Sequence, residues 1–140
     1  MANTAKFSMY YKARVVKAIV GSSRTLHAFG VTSTGQSPAA PTTATISVTP
    51  GASTLGSIAS GSIPFAGIPT EYLTTGAEIS NSAASAQLTI PAGRVVHYVG
   101  LVNGSTLYAY VALTTPDTNY YYEEQGTLTI PAGGYTVRHA

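Results

Sequence analysis

Three histidines, one adjacent pair of carboxylates and fourteen serines are the groups from which metal, acid–base or acyl-transfer chemistry would have to be built in this chain. His27, His97 and His139 lie on predicted strands, two of them beside aromatic or apolar residues. A zinc site needs three or four convergent ligands, and neither H-x-x-x-H nor H-E-x-x-H spacing occurs. The three are therefore expected to be structural histidines. A Ser-His-Asp set assembled from His97, Asp117 and a serine lacks the G-x-S-x-G elbow that would present the nucleophile. Glu123 and Glu124 are neighbours on an extended segment, so their side chains point to opposite faces and make a poor acid/base pair. There is no phosphate-cradling P-loop and no G-x-G-x-x-G. With no cysteine in the chain, thiol catalysis, thiolate metal sites and disulfides do not arise. The residues predict a protein that is not an enzyme and takes no cofactor or metal.

The elements that would position any site are those of a single domain of 140 residues, long enough to bury a core. Only 12 residues are Lys, Arg, Asp or Glu, where an average globular chain has roughly a quarter. Ser and Thr together number 34 and Tyr reaches 10. A free monomer usually keeps soluble with a charged surface, so a chain this poor in charge is expected to cover its surface with neighbours or with a Ser/Thr/Tyr skin. The net charge is +2 but unevenly placed. Lys6, Lys12, Arg14, Lys17 and Arg24 open the chain, and no acid precedes Glu71. Such a start can steer onto an acidic surface or simply be a solvated helix face. Without interleaved aromatics it is a weak footprint for nucleic acid, and none is expected as a partner. No secretory signal and no stretch of the ~20 apolar residues needed for a membrane span are read.

Ser8 to Val20 is the one predicted helix. Ser8 can cap it, Gly21 can end it, and Met9, Ala13, Val16 and Val20 share a face. Strands are expected at Leu26–Thr34 and Ala44–Thr49, with shorter ones around Ser62–Phe65 and Tyr72–Thr74. The hexapeptide LTIPAG occurs twice, at 88–93 and 128–133. Leu-Thr-Ile has strand character, and Pro91 and Pro131 fit a type I turn with Gly93 and Gly133 at its last position. Between the copies, Asn103-Gly104 predicts a hairpin with a type I′ turn. A two-residue loop there sets Val99 opposite Tyr108, His97 opposite Tyr110 and Val95 opposite Ala112. Neither face of that hairpin is polar, so both should be covered, one of them by the helix or a second subunit. The same turn explains the Asn103-Gly104-Ser105 sequon. In Tyr120-Tyr121-Tyr122, alternation along a strand should split the rings between core and surface, where tyrosine supplies contact area.

The order of a short helix ending in GSSRT, a strand TLHAFGVTST, the segment VVHYVGLVNGSTLYAYVALTTP and a closing GTLTIPAGGYTV resembles a group of small tailed-bacteriophage virion proteins. These are labelled variously as head decoration, minor capsid or tail fibre proteins. The likeness covers residues 9–34 and 87–138. It departs from the family pattern at Asn103-Gly104-Ser105, where an acidic residue is common, and at Tyr120–Tyr122, which are more aromatic than usual. The resemblance implies an antiparallel β-sandwich with one short N-terminal α-helix. Residues 1–24 would form the basic arm and helix, and 25–140 the sandwich. It also implies a role in the phage particle after synthesis in the host cytoplasm. The expected function is a capsid decoration or cement protein bound to the major capsid protein lattice, as a homo-oligomer with trimers preferred. The alternative is a tail-associated adhesion module that binds a host surface glycan. For the docking interface the candidate residues are Lys6, Lys12, Arg14, Lys17, Tyr108, Tyr110, Tyr120, Tyr121 and Tyr122.

Overall fold

The computed structural model describes residues 8–72, 76–113 and 121–140. Strands hold 44% and helices 14% of them, and every strand pair is antiparallel, so the fold is all-β with a short N-terminal helix. Helix α1 (Met9–Val20) begins where the Ser8 hydroxyl accepts the Tyr11 N–H at 3.2 Å. It ends at Gly21, whose N–H donates to the Lys17 carbonyl. The last turn gathers cations where the helix dipole is negative: the Lys17 ammonium donates to the Gly21 carbonyl, and Arg24 donates to the carbonyls of Ile19 and Ala18. Ala13, Val16 and Val20 form the buried face. The helix is thus part of the core rather than an appendage.

Ten strands follow among the described residues: β1 (Ser23–Val31), β2 (Gly56–Pro64), β3 (Thr70–Tyr72), β4 (Gly76–Ser80), β5 (Leu88–Ile90), β6 (Arg94–Asn103), β7 (Thr106–Ala112), β8 (Tyr121–Tyr122), β9 (Gly126–Leu128) and β10 (Thr136–His139). The main sheet runs β2-β1-β6-β7, with β8 also on β6; β10-β4-β3 and β5-β9 make two smaller sheets. Leu26, Ala28, Val99 and Leu101 of the main sheet join Ala77, Ile79 and Val137 of the second and the buried face of α1 in one apolar cluster. No helix among the described residues is long and apolar enough to cross a membrane.

Several expectations need correction. ATISVT (44–49) is not a strand: Thr43–Ser47 is a 3-10 turn. The Thr42 N–H donates to the Thr45 hydroxyl at 2.9 Å and the Thr45 N–H to the Thr42 carbonyl at 3.0 Å, local bonds that compete with a sheet ladder. The hairpin loop is Gly104-Ser105, with Asn103 paired to Thr106. Only Gly104 has positive φ (64°), the pattern of a type II′ turn rather than I′. A bulge between Leu101 and Val102 then changes the register, so Val99 lies opposite Val111 and Gly100 opposite Tyr110. The second LTIPAG copy also turns one residue later than expected. The Gly134 N–H donates to the Pro131 carbonyl with Gly133 at φ 77°, as a type II turn requires. The two copies pair with each other, Leu88 opposite Leu128.

Candidate functional site

The residues capable of reaction chemistry stand apart. His27 is on β1, His97 on β6 and His139 on β10. No three of His, Cys, Asp or Glu converge on a possible metal position among the described residues. His27 Nδ1 lies 3.0 Å from the Ser57 hydroxyl, and its ring stacks on Phe29 at 5.9 Å. His97 is 4% exposed and its Nε2 has no hydrogen-bond partner. Burial lowers the pKa of both His27 and His97, because desolvation disfavours the imidazolium. Below the unfolded value of about 6.5 the unfolded chain therefore binds protons that the native chain resists binding. Stability should be full above about pH 7, and it should fall as pH drops from about 6.5 through the lowered native values. Thermal unfolding at pH 7.5 and pH 5 checks this, and His97→Leu should flatten the dependence. A melting temperature unchanged between the two would count against it.

Of the basic residues, Lys6 lies outside the described residues, and Lys17 is engaged at the helix end. Arg14 donates to the Tyr10 hydroxyl at 2.6 Å, and its guanidinium sits 5.4 Å from the Tyr10 ring centre. Lys12 is half-buried on the same helix, which carries no acid. A groove of about 370 Å³ is lined by Tyr10, Ala13, Arg14 and Lys17 of α1 and by Ile68, Pro69 and Glu71. Ile68, at the turn before β3, is 85% exposed and Tyr10 64%. Reading the sequence alone missed Tyr10, Ile68 and Pro69. The available signal was GIP, an isoleucine set between a turn glycine and a proline.

A second surface lies along β7. The bulge separates the two tyrosines expected on one face. Tyr110, paired with Gly100, meets the Tyr98 ring edge-on at 5.9 Å. Tyr108 lies 5.9 Å from the Arg24 guanidinium, and its hydroxyl accepts from Asn103. Both rings and Val111 are exposed. Among the described residues the hairpin is therefore not covered on both sides as expected: β6 is buried, but β7 ends the sheet with exposed side chains. Tyr121 and Tyr122 are half-buried in β8, opposite Val95 and Arg94. The Tyr122 ring packs over Gly126, and burial raises its pKa. Tyr120 lies outside the described residues. The structure thus brings Arg14 and Lys17 together at the groove and leaves Tyr108, Tyr110, Tyr121 and Tyr122 elsewhere. No protein-family model, curated protein or solved structure matches this chain.

Proposed function

We propose that this chain is a non-catalytic virion structural protein, a capsid decoration or cement protein that docks on the assembled major capsid protein lattice and stabilises it. The observation that carries the reading is the groove beside α1, where exposed Ile68 and Tyr10 share a lining with Arg14, Lys17 and Glu71. Exposed apolar side chains ringed by charge are the anatomy of a docking site. Arg14 and Lys17 select an acidic counterpart, and Ile68 and Tyr10 supply the area that water would leave. A cement protein binds the assembled state alone, so occupancy lowers the free energy of the shell and not of its free subunits. Repetition over a lattice makes weak single contacts strong together.

The test adds purified protein to particles that lack it, then heats or osmotically shocks them. Bound protein should raise the temperature of genome release. Ile68→Asp should cut occupancy about tenfold or more, the effect of losing a buried contact worth ~1.4 kcal/mol. Arg14→Ser should weaken attachment chiefly at low salt. Equal survival with and without the protein, together with binding to host cells or glycans, would replace this reading with the adhesion one.

A further inference from the structure

β7 ends the strand order of the main sheet, and no described segment continues it. The Leu113 N–H donates to the His97 carbonyl at 2.9 Å, so that residue turns its backbone toward β6. In an antiparallel ladder this direction alternates. Val111 therefore also faces β6, and Tyr110 and Ala112 point their N–H and C=O groups outward. Farther back the edge is already closed, since the Thr43 hydroxyl accepts the outward Leu107 N–H at 3.2 Å. Among the described residues, two residues' worth of backbone donors and acceptors is left open, spaced i and i+2.

We infer that two copies of this chain join through β7 about a two-fold axis at Val111, as an antiparallel extension of the main sheet. In that register Tyr110 lies opposite Ala112 of the second copy, and Ala112 opposite its Tyr110. Both outward N–H groups and both outward carbonyls of each copy then find partners, four bonds in all from the alternation above. Large is set against small on one face, and Val111 meets Val111 on the other. Two features favour a second copy over a foreign strand. The open groups map onto each other under the two-fold, as an isologous contact demands. Thr106–Ala112 also carries no charge, so an identical strand meets no repulsion. Tyr110 and Val111, 49% and 42% exposed, would be covered by the pairing.

The pairing is independent of the lattice reading and is tested without particles. Sedimentation of the purified protein should show a dimer that grows with concentration. Ala112→Pro deletes only an outward N–H, and Val111→Lys sets two like charges at the axis. Each should abolish the dimer while circular dichroism keeps the wild-type strand signal. The chain has no cysteine, so Val111→Cys places a single thiol at the axis. A non-hydrogen-bonded pair holds Cα atoms about 4.5 Å apart, within disulfide reach. Mild oxidation should therefore link most of the Val111→Cys protein as covalent dimer, and Thr106→Cys, at the far end of β7, should pair but stay unlinked. A wild-type monomer at high concentration, or crosslinking through Thr106→Cys but not Val111→Cys, overturns the proposal.

Discussion

Gly30→Ala should leave the protein unable to close its main sheet, and the variant should accumulate as insoluble chain. Gly30 sits between Gly56 of β2 and Val96 of β6, next to a bulge in the β1–β6 ladder. A methyl group there would fall 1.9 Å from the Val95 carbonyl oxygen and 2.6 Å from Cδ1 of Ile58. The isoleucine can rotate away. The carbonyl cannot, because it belongs to the backbone of the central strand. Overpacking a core typically costs about 1–3 kcal/mol and occasionally more, and a backbone clash in the middle of a ladder belongs to the upper end. Against a total stability of about 5–15 kcal/mol, the expected loss is roughly 3 kcal/mol or more. Urea unfolding of whatever refolds should show a midpoint well below wild type with an unchanged slope. A midpoint within experimental scatter of wild type would show that β1 and β6 can part without penalty.

The second large effect is expected at Asn81, which is 2% exposed and immediately follows β4. Its side-chain amide donates to the carbonyls of Ala83 and Pro131, both at 2.9 Å, and its carbonyl oxygen accepts the Tyr135 N–H at 2.8 Å. One side chain thus ties the loop after β4 to the turn of the second LTIPAG copy. The backbone adds two more ties, Asn81 N–H to the Tyr135 carbonyl and Gly133 N–H to the Asn81 carbonyl. Asn81→Ala would strand the buried Tyr135 N–H and take a donor from the Ala83 and Pro131 carbonyls, of which Pro131 keeps the Gly134 N–H. A buried group left unpaired costs about 1–3 kcal/mol, and less where water enters. A net loss of about 2–4 kcal/mol follows. Asn81→Asp keeps the acceptor for Tyr135 but aims a carboxylate at two carbonyls, so it should be no better than alanine near pH 7. Denaturant titration of both variants measures this. A loss below ~1 kcal/mol in both would mean that the backbone ties suffice.

Local chemistry made part of this architecture legible before the structure. Ser8 and Gly21 bracket the helix as their types require, and Ala13, Val16 and Val20 are buried at the expected spacing. β1 was visible as a run of apolar and β-branched residues, though it starts at Ser23 and stops at Val31, where the Thr32 N–H leaves the ladder for the Gly51 carbonyl. Thr45 and its β-branched neighbours misled, because ATISVT reads as strand while the Thr45 hydroxyl accepts the Thr42 N–H and holds a turn. The hairpin was visible but its register was not. A bulge depends on how β6 and β7 twist together, and no residue type between 99 and 108 announces it. Asn81 had no signal at all, since its partners lie up to 54 positions away. The groove was hidden for the same reason: Tyr10 and Ile68 meet only through the packing of α1 beside β3.

The strand order has a further meaning for the growing chain. β1 is synthesised early, yet both its neighbours arrive later: Ala28 meets Ala59 of β2 on one side and Val99 of β6 on the other. While the ribosome is still reading the middle of the message, β1 can hold β2 but has nothing on its second edge. Leu26, Ala28 and Phe29, fully buried in the finished sheet, then lack the strand that shields them. Non-local pairings of this kind form slowly and leave sticky intermediates. The completed molecule therefore depends on an interval of nascent-chain exposure that ends only when the segment through Asn103 has left the exit tunnel.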